Sequence, residues 1–139
     1  MKELWTSDEP SYHGKTISLE GARFNPKPVQ KPHPPIVVGG ATEIALKRAV
    51  RYGDGWYGIA KTHDDAQAII GRLRALECDA GRAKPVEVTL SLRTGKPLTL
   101  DDMRRLKAAG VDRALIGTPL RSLTENELAR FREDVIERL

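Results

Sequence analysis

A chain of 139 residues, 40% apolar and 30% charged, has the make-up of one ordinary globular domain, long enough to bury roughly two thirds of its unfolded surface. The net charge of +4 raises nucleic acid as a partner, but the cations around Arg72-Leu73-Arg74, Arg104-Arg105 and Arg130-Phe131-Arg132 are mixed with acids, so they read as solvated helix faces and not as a binding stripe. No apolar run approaches the length of a membrane span, and Met1-Lys2-Glu3-Leu4-Trp5 lacks the basic and apolar regions of a signal peptide, which predicts a cytoplasmic protein without a membrane partner. The single cysteine, Cys78, has no partner for a disulfide and falls inside a predicted helix, where it reads as structural. His13, His33 and His63 are not at ligand spacing with one another or with Cys78, so no metal site is expected.

Residues 1–35 predict an irregular segment. Lys2-Glu3-Leu4-Trp5 reads as the last turn of a helix, Tyr12-His13-Gly14-Lys15 as a turn, and Thr16-Ile17-Ser18-Leu19 alternates like a short exposed strand. Five prolines between positions 26 and 35 forbid helix and favour an extended connector. Ile36-Val37-Val38 then predicts a strand buried on both faces, because β-branched residues follow one another with no polar alternation. It stops at Gly39-Gly40 and runs through Ala41-Thr42 into a helix over 43–52, with apolar residues at 45, 46, 49 and 50. Thr42 is placed to cap that helix and Gly53 to end it in the left-handed conformation.

A very short strand is expected over 54–58, and a helix from His63 to Ala80 capped by Thr62, with Ala66, Ile69, Ile70, Leu73 and Leu76 inside and Gly81 as its stop. Residues 86–92 predict the clearest strand. Thr99 and Asp102 predict a capping box for a helix that buries Met103, Leu106 and Ala109. A fourth strand is expected over 111–117, and Ser122 with Glu125 predicts the box that opens the last helix, marked by Leu128, Phe131 and Val135. Strand and helix thus alternate four times, an α/β pattern with parallel crossovers. This is half of a TIM (β/α)8 barrel, which takes about 250 residues, or else a small doubly wound sheet. Residues 1–35 and 36–139 are expected to form one domain overall.

A glycine pair at the carboxyl end of a strand, followed by a helix N-terminus, suits an anion; it suits a plain tight turn as well. The series Tyr12-His13-Gly14-Lys15, Phe24-Asn25-Pro26-Lys27-Pro28-Val29-Gln30, Ile36-Val37-Val38-Gly39-Gly40 and Tyr52-Gly53-Asp54-Gly55-Trp56 resembles the bacterial luciferase-like family of flavin- or F420-dependent oxidoreductases and monooxygenases. The resemblance implies the carboxyl-terminal four βα units of a barrel about twice as long, a cofactor that is FMN or F420, and a small-molecule substrate. It implies that Gly39, Gly40, Ala41 and Thr42 meet the cofactor phosphate. Trp56 then either lines the pocket or belongs to the core. Arg93 and Arg121 follow the third and fourth strands and are candidates for a phosphate or acidic substrate, with ordinary surface arginines as the alternative. No catalytic group can be assigned. The missing strands are expected from a second copy in a homodimer or from a separate amino-terminal half; the alternative is a truncated, non-catalytic half-barrel that serves as a binding or interaction module.

Overall fold

The structure, a computed structural model, describes residues 1–116 and 124–139. The chain divides into two compact units, Met1–Pro35 and Ile36–Leu139. In the first, helix α1 (Lys2–Thr6) is followed by a two-stranded antiparallel hairpin of β1 (Tyr12–His13) and β2 (Ser18–Leu19). Tyr12 and His13, expected within a turn, belong to a strand, and the turn lies beyond them, where the Gly14 N–H donates to the Ile17 carbonyl at 2.8 Å. The Lys27 ammonium donates to the carbonyls of Leu4 and Ser7, which satisfies oxygens at the end of α1.

The second unit is a four-stranded sheet in the order β3 (Val37–Gly39), β4 (Gly55–Ala60), β5 (Glu87–Leu92) and β6 (Arg113–Leu115), with every neighbouring pair parallel. Helices α2 (Glu43–Tyr52), α3 (His63–Asp79), α4 (Leu100–Ala108) and α5 (Glu125–Asp134) follow the strands in turn. The order never doubles back. A doubly wound sheet needs a switch point with helices on both faces, so the monotonic order and one-sided packing favour the barrel-type course.

Strand periodicity sorts the side chains. Val38, Trp56, Ala60, Val88, Leu90 and Leu92 face the helices and pack with Leu46, Ala49, Ile70, Leu73 and Leu106 in one core. Their neighbours Val37, Tyr57, Ile59, Thr89, Ser91 and Leu115 lie on the opposite face, where Val37 is 54% and Leu115 47% exposed. β3 is therefore not buried on both faces, as its sequence predicts: it is an edge strand, and among the described residues of this unit the helices pack on one face of the sheet. β4 runs to Ala60, longer than expected, because it pairs on both sides and because Gly58 leaves room for the Trp56 ring, which a Cβ there would meet at 2.0 Å.

The amino end of the sheet is held by carboxylates. Asp54 accepts from the Ile36 N–H at 2.8 Å and Asp112 from the Val88 N–H at 2.7 Å. The buried Glu77 accepts from the Val86 N–H and from Arg74 Nη1, and Arg74 returns to the Val86 carbonyl at 3.1 Å. Arg82 donates to the carbonyls of Val50 and Gly53 at the end of α2. Gly53 is extended (φ −89, ψ 151) and not left-handed; the chain enters β4 directly, and a side chain there would crowd the Ala49 carbonyl at 2.9 Å. Cys78 is exposed on α3, so it fills no core space.

Thr62 and Thr99 form the expected boxes with Asp65 and Asp102. The last helix is capped two residues later than predicted, by Thr124 with Glu127, which brings both Glu125 and Glu127 into the first turn against the helix dipole. Ser122 lies outside the described residues. Glu77→Ala should lower the free energy of unfolding by about 2–3 kcal/mol, since it strands the buried Val86 N–H and unpairs Arg74. Urea unfolding measures this, with Asp79→Ala on the exposed face of α3 as a control that changes stability by less than about 0.5 kcal/mol.

Candidate functional site

Helices that follow parallel strands start at the strands' carboxyl end, so the turn after β3 and the caps of all four helices of this unit share one end of the sheet. Gly39 is the last residue of β3 and Gly40 makes the turn at φ +110, a conformation that costs glycine little; a Cβ there would also lie 3.1 Å from that of Ala45. Ala41 and Thr42 are exposed. Thr42 is the cap of α2: its hydroxyl oxygen accepts from the Ala45 N–H at 3.3 Å, which leaves the hydroxyl hydrogen to donate elsewhere. The first amides of α2, at Glu43 and Ile44, have no intrahelical acceptor. Glu43 would oppose an anion here, but Arg72 pairs with it in a two-pronged contact and holds its carboxyl below the usual range, helped by Lys47 at 3.5 Å.

Trp56 is not a wall of this site. It is fully buried on the helix side of the sheet, with no surface left to meet a ligand, and it reaches the turn only through its indole Nε1–H, which donates to the Gly40 carbonyl at 2.7 Å. Arg93 stands exposed at the carboxyl end of β5, its N–H donating to the Ala60 carbonyl at 2.8 Å. That puts it at the same end as Gly39–Thr42, but two strands away and, by register, four residues past the level of Gly39. Arg121 lies outside the described residues.

One pair at this end has no signal in the sequence pattern. His63, first residue of α3, and Asp102, in the first turn of α4, meet at 2.7 Å between Nε2 and Oδ1, both about three quarters buried. A separation of 39 residues hides the pair from any local motif, and only the adjacency of β4 and β5 brings the two helix starts together. The other Asp102 oxygen accepts from the Thr99 N–H and hydroxyl. Partial burial pushes the Asp102 carboxyl up, but the Thr99 N–H, His63 and the Thr99 hydroxyl together outweigh it and bring it down to about 2.

The sequence profile of the luciferase-like monooxygenases matches residues 1–134. This chain belongs to the luciferase-like monooxygenase family. Among family relatives, an uncharacterised protein of Mycobacterium bovis is 30% identical over 150 residues, covering 100% of this chain and 50% of that protein. The FMNH2-dependent dimethylsulfone monooxygenase of Pseudomonas putida is 31% identical over 88 residues, 63% of this chain and 24% of that enzyme. The chain thus spans about half the length, or less, of these relatives. In three dimensions it is similar to an F420-dependent secondary alcohol dehydrogenase solved with an F420–acetone adduct, with a TM-score of 0.72 at 16% identity, over 97% of this chain and 58% of that one. This likeness shows the fold: the four βα units are part of a (β/α)8 barrel. FMN and F420 both occur among the similar proteins. Among the described residues no helix is long and apolar enough to cross a membrane.

Because the folded Asp102 carboxyl lies below the value near 4 of an unfolded chain, its contribution to stability is complete above about pH 4 and disappears as the pH falls toward 2. Asp102→Asn should therefore cost about 1–2 kcal/mol at neutral pH and flatten that part of the acid limb, as read from denaturant unfolding across the range.

Proposed function

We propose that this chain forms the phosphate-holding part of the cofactor site of a flavin- or F420-dependent oxidoreductase. The observation that carries the reading is the turn itself: exposed Gly39, Gly40, Ala41 and Thr42 at the carboxyl end of a barrel strand, with amides ahead of α2 that lack internal acceptors, in a chain of this family. A phosphate fits these donors, because backbone N–H groups at a helix start favour negative charge and the Thr42 hydroxyl can donate to it. Glu43, neutralised by Arg72 and Lys47, presents little opposing charge. Arg93, exposed after β5 at the same end of the sheet, is suited to a second anionic group of the cofactor or substrate.

When bound, the cofactor supplies hydride chemistry or oxygen activation. The part of this chain is to bind and orient it. The uncovered face of the sheet and its two edges, β3 and β6, favour completion by further βα units before turnover, from a second copy or from an amino-terminal half.

The test is the solution mass of the purified chain by light scattering, combined with its melting temperature with and without FMN or F420. The expected result is a rise of several degrees with one of the two, since ligand at a hundred times its dissociation constant adds about 2.7 kcal/mol. A dimer that shows the rise supports completion by a second copy. A monomer that responds to one cofactor supports the site without self-completion, and a chain indifferent to both rejects the cofactor reading for these residues.

A further inference from the structure

The peptide units on both sides of Gly40 are held. Its N–H donates to the Tyr57 carbonyl at 3.2 Å, one step beyond the β3–β4 ladder, and its carbonyl accepts the Trp56 indole N–H at 2.7 Å. In a trans peptide unit the carbonyl and the following N–H point in opposite directions, and the Gly40–Ala41 bond is trans. A Gly40 carbonyl turned to the indole therefore turns the Ala41 N–H away from it. The indole is fully buried among the helix-facing side chains and Ala41 is exposed, so this direction leads out of the core at the carboxyl end of the sheet. The Ala41 N–H has no acceptor among the described residues.

We propose that Trp56 is a positioning residue for the phosphate turn: its buried indole N–H clamps the Gly40 carbonyl and thereby presents the Ala41 N–H to the anion. The proposal rests on the reading of Gly39–Thr42 as a phosphate site. A core position at 56 needs only apolar bulk, which does not call for a hydrogen-bond donor. The indole adds one donor, and the strand accommodates its length through Gly58. Without that donor the Gly40 carbonyl has no other partner among the described residues, and glycine at φ +110 offers little resistance to rotation of the unit that carries the Ala41 N–H. Preorganised donors bind an anion more tightly than donors that must first be ordered.

The experiment titrates inorganic phosphate into the isotopically labelled full chain and follows the Ala41 amide and the two indole N–H signals, Trp56 and Trp5, by NMR. In the wild type the Ala41 amide and the Trp56 indole should move along one saturable curve, while the Trp5 indole stays still. In Trp56→Phe, which also lowers the melting temperature because the smaller ring leaves space beside Gly58, the dissociation constant read at Ala41 in the folded chain should rise about tenfold. If the Trp56 indole is silent while Ala41 responds, or if Trp56→Phe binds phosphate as the wild type does, Trp56 only fills the core and the phosphate site stands without it. If Ala41 of the wild type shows no saturable response, the phosphate reading of the turn falls, and the role of Trp56 falls with it. The wild-type indole signal decides the matter even where the variant fails to fold.

Discussion

All of the second unit depends on one constraint: helices pack against a single face of the sheet. Residues 38, 56, 60, 88, 90 and 92 bring apolar or small side chains to that face, and the stripes of α2, α3 and α4 close over them. Because the strands are laid down in sequential order, each crossover returns to the same side. The core, the shared end for the helix starts, and the uncovered opposite face all follow from this arrangement.

The two ends of the sheet carry different chemistry. At the amino end, Asp54, Glu77 and Asp112 take up amides at the strand starts, Arg74 takes up the Val86 carbonyl, and Arg82 takes up carbonyls at the end of α2, so side chains satisfy the backbone where the strands begin. Those contacts are internal and largely saturated, the mark of a stabilising end. At the carboxyl end, threonines 42, 62, 99 and 124 cap the helices, three of them in reciprocal boxes with Asp65, Asp102 and Glu127. The exception is Thr42, the cap beside the glycine turn, which has no acid three residues on; position 45 is alanine, so no side chain there reaches back to the Thr42 N–H.

Much of this fold could be read from the residues, because helix stripes and caps are local. The stripe at 45, 46, 49 and 50 and the boxes at Thr62 and Thr99 lie where their spacing puts them. At the last helix two overlapping Ser/Thr-to-Glu patterns stand two residues apart, and spacing alone does not choose between them. The environment of β3 is hidden in the sequence for a different reason: an unbroken β-branched run looks the same whether the second face is covered by this chain or not. At the candidate site the glycine turn was legible as a shape. The burial of Trp56 and the meeting of His63 with Asp102 were not, since both depend on which strands become neighbours.

The uncovered face is not uniformly apolar, and this limits what can close it. Glu87 and Arg113 form an ion pair there at 2.8 Å, with side chains still 44% and 69% exposed. Water now screens that pair and makes it nearly neutral for stability. Under a covering layer the same two charges would lose their hydration, and attraction between them alone seldom offsets that loss. A cover made only of aliphatic side chains is therefore a poor fit. A layer laid over this face would have to carry polar groups at the height of Glu87 and Arg113, so the pair would act as a filter on register, favouring a layer that meets it with hydrogen bonds over one that slides it against hydrocarbon.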